Sequence, residues 1–170
     1  MKKSVYLRVL VATGLGLGLL PIAPGTWASL LGVALHLAIA SFAAPAVQVP
    51  LLAICFILVC LGNHILTPWA QAYWGAKDPK HFVLDEIAGY LLIPIIFHHG
   101  RTWQVALWGF LGFRLLDIIK LPPASQIDRQ GTGAWAILMD DIISALYTVV
   151  GLHFLRWVSG VFGMQRWLVS

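Results

Sequence analysis

Apolar residues gather into five long runs, roughly Trp27 to Ala44, Leu51 to Ala72, Glu86 to Phe97, Trp103 to Ile119 and Ile142 to Trp157, separated by short polar or Pro- and Gly-bearing turns. A helix needs about 20 residues to cross the hydrocarbon of a bilayer, and most of these runs approach that length. The third is too short to cross comfortably and carries Pro94, so it is expected to be tilted, broken or packed inside the bundle. Ahead of them, Lys2, Lys3 and Arg8 precede an apolar stretch from Val9 to Leu20, an arrangement similar to a secretory signal. Gly14, Gly16 and Gly18 interrupt that stretch and it runs into Pro21 and Pro24, so it reads as a retained, membrane-associated segment, short or re-entrant. The predicted fold is all-α: a polytopic transmembrane helix bundle with short or re-entrant helices, one domain over residues 1–170.

Composition agrees with a bilayer as solvent. Of 170 residues, 59% are hydrophobic and 11% charged, and no room is left for a separate soluble domain. The net charge of +4 does not point to nucleic acid, because the basic residues are spread over loops and helix ends. Anionic lipid headgroups are the expected partner. Threading the runs from a cytoplasmic N-terminus puts Lys2, Lys3, Arg8, Lys77, Lys80, Lys120 and Arg129 on the near side and Arg101 on the far side, with Arg156 and Arg166 as exceptions. That asymmetry is the one expected of a cytoplasmic face. Trp69, Tyr73, Trp74, Trp103 and Trp157 fit an interfacial aromatic belt. Cys55 and Cys60 fall inside an apolar run, where a small buried hydrophobe is the expected role.

Only seven residues are acidic, Asp78, Asp85, Glu86, Asp117, Asp128, Asp140 and Asp141, and the same threading puts all of them at or near one membrane face. Carboxylates at the ends of apolar helices are costly unless paired, solvated or bound to a cation. Asp85-Glu86 and Asp140-Asp141 are each expected just before an apolar helix, where one acid of each pair could serve as a cap. The second acid of each pair is left over, and a shared divalent cation with hard oxygen ligands, Mg2+ rather than zinc, holds such pairs ionised. Arg114, Asp117 and Lys120 are spaced three apart, along one side of a helix. They read either as an ion-pair ladder or as a metal-facing carboxylate between two cations that hold phosphate.

Pro21 to Ser29 reads as a turn opening a helix, with Thr26 and Ser29 able to cap it or to donate to an anion at its N-terminus. His64, with Asn63 and Thr67, reads as a packing histidine inside the second run. His81, four residues before Asp85, is a candidate headgroup contact or proton carrier beside its plainer reading as a loop residue.

Taken in order, Pro24-Gly25-Thr26-x-x-Ser29, Asp78-Pro79, Asp85-Glu86-x-x-Gly89, Phe113-Arg114-x-x-Asp117-x-x-Lys120 and Asp140-Asp141 resemble the phosphatidylglycerophosphatase A family, over roughly Gly14 to Gly151. Ala28, Ala136, Leu121 and Ser144-Ala145 depart from the family pattern without removing a carboxylate or a cation. The resemblance implies Mg2+-dependent hydrolysis of the terminal phosphomonoester of phosphatidylglycerophosphate at the cytoplasmic face of a bacterial inner membrane. On this reading Asp85, Glu86, Asp117, Asp140 and Asp141 are the expected metal ligands, and Asp85, Asp141, Arg114 and Lys120 act on the phosphate. Thr26, Ser29, His81, Arg114, Lys120 and Arg129 contact the headgroup. A metal-activated water is expected as nucleophile, since neither an Asp-x-Asp-x-Thr motif nor a catalytic Cys-x5-Arg loop is present. The competing reading is a non-enzymatic transporter of divalent cations or lipids, whose acids would line a path through the bilayer.

Overall fold

The computed structural model describes residues 2–164, so Arg166 lies outside the described residues. All regular structure among them is helical: α1 (Lys2–Ala12), a 3-10 turn (Leu17–Leu19), α2 (Pro24–Phe42), α3 (Pro45–Trp74), α4 (Leu84–Ile96), α5 (Thr102–Ile119), α6 (Ala124–Gln130) and α7 (Gly133–Phe162). Three of these, α2, α3 and α7, are long and apolar enough to cross a membrane. The chain is a membrane protein of the all-α class expected from its hydropathy.

Helix ends follow local chemistry. Pro24 and Pro45 stand in the first turns of α2 and α3, where a missing amide hydrogen costs nothing. Gly75 and Gly163 take the left-handed conformation that ends α3 and α7. Pro68 lies inside α3, which continues through it, and the neighbouring Thr67 hydroxyl donates to the Asn63 carbonyl at 2.6 Å.

Two expectations about caps are corrected. The residue preceding α2 is Ala23, with φ 49° and no side-chain cap, so Thr26 already lies inside the helix. Asp140 and Asp141 do not precede a helix either. The apolar residues Ala134 to Met139 carry α7 through them, so both acids sit about two turns inside. The cost of charge within a helix at this depth is met by tertiary partners rather than by a helix end.

The short third run is the centre of the bundle. With 13 residues α4 is about 20 Å long, less than a bilayer's hydrocarbon thickness, and it packs against α2, α3, α5 and α7. Ile87 and Leu91 join one core cluster with Leu52, Phe82 and Ile137, while Tyr90 and Ile93 join a second with Phe113, Ala145 and Leu152. Tyr90 is fully buried and its hydroxyl lies 3.0 Å from His36 Nδ1 on α2. Because α2 through α5 and then α7 alternate in direction, one end of the molecule collects the N-termini of α2, α4 and α7 with the C-termini of α3 and α5. All the candidate chemistry lies towards that end.

Candidate metal and phosphate site

Three helices bring carboxylates together. Asp85 and Glu86 stand in the first turn of α4, where the helix dipole favours negative charge. Asp141 enters from α7, and one oxygen from each of Asp85, Glu86 and Asp141 lies within 4.8 Å of the others. Asp117, in the last turn of α5, lies near Asp141 and pairs with Arg114. Asp85, Asp117 and Asp141 are all buried and Glu86 is half-buried. Like charges this close in a low-dielectric interior repel strongly, so the group requires shared protons or a bound cation.

The oxygens themselves carry the same message. Asp85 Oδ1, Glu86 Oε2 and Asp141 Oδ2 are buried and make no hydrogen bond to the protein. Buried polar atoms are nearly always partnered, so unpartnered oxygens on three carboxylates that come within 4.8 Å of one another mark a place for a ligand.

Cations border the acids on the α5 side. Arg114 Nη1 lies 2.6 Å from Asp117 Oδ2 and 3.5 Å from the Ser29 hydroxyl of α2, while its buried Nε has no hydrogen-bond partner. Ser29 in turn donates to the Gly25 carbonyl at 2.9 Å, so the start of α2 braces the guanidinium. Lys120 does not continue the ladder along α5. The helix ends there, with φ 51°, and its ammonium meets Asp140 Oδ2 of α7 at 2.7 Å.

Two glycines make the convergence possible. A Cβ at Gly25 would collide with the Glu86 carboxylate, so glycine lets α2 begin against the acid pair without displacing that side chain. A Cβ at Gly89 would stand 2.5 Å from the Phe113 ring and 3.2 Å from Asp141 Cβ. That residue sets how closely α4 lies to α5 and α7 at the level of the acids.

The structure thus brings Asp85, Glu86, Asp117, Asp141, Arg114 and Ser29 into one constellation, with Lys120 and Asp140 paired at its edge. Thr26 is half-buried in the same first turns of α2. His81 makes other contacts: its Nδ1 lies 2.8 Å from the Gly18 carbonyl and its ring rests near Trp74. Arg129 is exposed on α6, and its carbonyl accepts from Lys77 at 3.3 Å. The sequence reading took Asn63 only as part of a packing group. It is fully buried, and its amide donates to the Ala134 carbonyl of α7 at 3.3 Å. An amide in an otherwise apolar run was the available signal.

Comparison with known proteins matches the sequence to one family. The model of the phosphatidylglycerophosphatase A family covers residues 10–156. A phosphatidylglycerophosphatase A of Haemophilus influenzae is 31% identical over 94% of this chain and 90% of its own. A Bacteroides thetaiotaomicron protein, provisionally named a phosphatidylinositol-3-phosphatase, is 30% identical over 94% of this chain and all of its own. The phosphatidylglycerophosphatase A of Escherichia coli is 30% identical over 89% of this chain and 86% of its own. No solved structure matches. On the family match and these full-length relatives, the chain belongs to the phosphatidylglycerophosphatase A family.

Proposed function

We propose that this protein hydrolyses the terminal phosphomonoester of phosphatidylglycerophosphate, giving phosphatidylglycerol and inorganic phosphate, at the cytoplasmic face of a bacterial inner membrane. The observation that carries the reading is the group Asp85, Glu86 and Asp141, with unpartnered buried oxygens, beside the Arg114 guanidinium. Acids able to hold a cation next to a base able to hold an anion are what phosphoryl transfer requires. The excess of Lys77, Lys80, Lys120 and Arg129 at this end supports the cytoplasmic orientation.

An all-oxygen donor set fits a hard divalent cation such as Mg2+ better than zinc. Asp85, Glu86 and Asp141 would hold it, with Asp117 and Asp140 as further or supporting ligands. When bound it would neutralise phosphate charge and make a water more acidic. The chain's own residues then have separate tasks. Arg114 grips non-bridging phosphate oxygens through its fork of donors, and Lys120 adds positive charge at the edge. Either Asp85 or Asp141 accepts the proton of the attacking water. The oxygen of that water ends on phosphorus, the bond from phosphorus to the glycerol oxygen breaks, and the displaced proton returns to that oxygen. Ser29 and Thr26 orient Arg114 and the start of α2 around the headgroup, and Arg129 is an outer headgroup contact.

The relative named for phosphatidylinositol-3-phosphate makes the headgroup the point to test. Phosphate release should be measured for the purified chain on phosphatidylglycerophosphate and on phosphatidylinositol-3-phosphate with matched acyl chains. Faster release from the first supports the proposal, and faster release from the second moves the substrate to the inositol lipid. Cation flux through proteoliposomes without phosphate release would replace both with transport.

A further inference from the structure

The chain between α5 and α6 has little of its own to hold it. Leu121, Pro122 and Pro123 are exposed, and Lys120 before them is half-buried. Proline carries no amide hydrogen, so Pro122 and Pro123 cannot donate to any carbonyl. The carbonyls of Leu121 and Pro123 accept from Ser125, Gln126 and Ile127, which ties the stretch forward into α6. Lys120, ending α5 at φ 51°, therefore enters a segment that cannot fix its own course by donating hydrogen bonds.

The hold comes from α7. The Tyr147 hydroxyl donates to the Pro122 carbonyl at 2.6 Å, and two residues earlier the Lys120 ammonium meets Asp140 Oδ2 at 2.7 Å. Asp140, Ser144 and Tyr147 follow at i, i+4 and i+7, so both anchors stand on one face of α7. Side chains on a helix lean towards its N-terminus, which brings the Tyr147 hydroxyl back towards the level of Asp140. Between them the Ser144 hydroxyl is already used on the Asp140 carbonyl at 2.9 Å, so Tyr147 supplies the second hold on the segment.

We infer that Tyr147 is a positioning residue for Lys120: by holding the Pro122 carbonyl it fixes the chain where α5 ends, and so keeps the Lys120 ammonium at the edge of the phosphate site. The inference rests on the reading of Lys120 as a cation of that site. Tyr147 acts through Lys120, so its hydroxyl should matter to the reaction while the ammonium is present and not when it is gone.

The test combines a double-mutant cycle with a measurement that needs no turnover, both on the full chain in detergent. Tyr147→Phe keeps the ring and removes the hydroxyl. With phosphatidylglycerophosphate and Mg2+ it should lower kcat/KM about three- to tenfold, the range expected for one hydrogen bond. In a Lys120→Met background the same substitution should change kcat/KM less than about twofold, because interacting residues are not additive. A hydroxyl that served the fold alone would cost the same factor in both backgrounds; that result, or no loss in either, overturns the inference. In parallel, brief acylation with acetic anhydride is read lysine by lysine by mass spectrometry. Labelling of Lys120 should rise at least about threefold in Tyr147→Phe as the ammonium leaves Asp140, with the exposed Lys3 and Lys80 unchanged. Unchanged labelling of Lys120 overturns the inference whether or not the chain releases phosphate. Absence of release from the wild type, with the expected labelling, overturns the hydrolytic reading and leaves the hold of Tyr147 on Lys120 in place.

Discussion

The Lys120 ammonium sits 2.7 Å from Asp140 Oδ2, joining the residue that ends α5 to a carboxylate two turns inside α7. Lys120 adopts φ 51°, in the left-handed region, and so turns away from the Arg114–Asp117 side of its helix. A regular helix continued through Lys120 would have kept all three charges on one face. Ending it there gives each basic residue its own acid.

This geometry separates backbone cost from charge at one position. A non-glycine residue in the left-handed region costs roughly 1–2 kcal/mol. Lys120→Gly and Lys120→Ala both lose the ion pair with Asp140, but the glycine variant should melt higher in detergent by about 1 kcal/mol. Both should release phosphate more slowly than the wild type. Equal melting of the two variants would mean that the turn at Lys120 stores no strain.

A side chain at Gly25 should displace the Glu86 carboxylate. The added methyl of Gly25→Ala overlaps the Glu86 carboxylate, so either the acid or the start of α2 must shift. Overpacking of this kind costs about 1–3 kcal/mol, and the displaced ligand should weaken activation by divalent cation at the same time. Titration of phosphate release against Mg2+ in the variant checks it, with a rise in the half-saturating concentration expected.

Arg114→Lys keeps the charge and loses the fork. A lysine cannot serve Asp117, Ser29 and a phosphate oxygen together, as the guanidinium is arranged to do. Loss of one preorganised donor to a developing charge is worth about 10²–10³ in kcat, and that is the expected loss with the fold retained. A kcat within a few-fold of wild type would remove Arg114 from the phosphate site.

The helical bundle was largely legible because apolar runs bounded by Pro and Gly are a strong signal, and the short run at α4 was marked by its length and by Pro94. The limits of α7 were not legible. Charges inside an apolar helix are costly, so Asp140-Asp141 looked like a boundary; only the arrival of Lys120 from elsewhere in the chain shows how Asp140 is accommodated, and only the arrival of the α4 acids shows that Asp141 belongs to a cluster able to hold a cation. The same holds for His81. Its position four residues before Asp85 suggested a site residue, whereas its ring contacts Gly18 and Trp74, from segments that no local pattern links to it.

His81→Ala therefore distinguishes two roles. If the ring mainly ties the loop before α4 to the glycine turn after α1, the variant should lose about 1 kcal/mol of stability, the value of one hydrogen bond, with kcat nearly unchanged. A general acid or base would instead cost about 10²–10⁴ in rate. Melting and kinetics on the same preparation separate the outcomes.

The most direct test of the central claim is phosphate release from phosphatidylglycerophosphate by the purified wild-type chain and by Asp141→Asn, each with Mg2+, after chelation, and after Mg2+ is restored. The site built from Asp85, Glu86 and Asp141 predicts release that stops on chelation, returns with Mg2+, and falls at least about 100-fold in the folded Asp141→Asn variant. Release that persists in chelator, or that Asp141→Asn leaves unchanged, would contradict it.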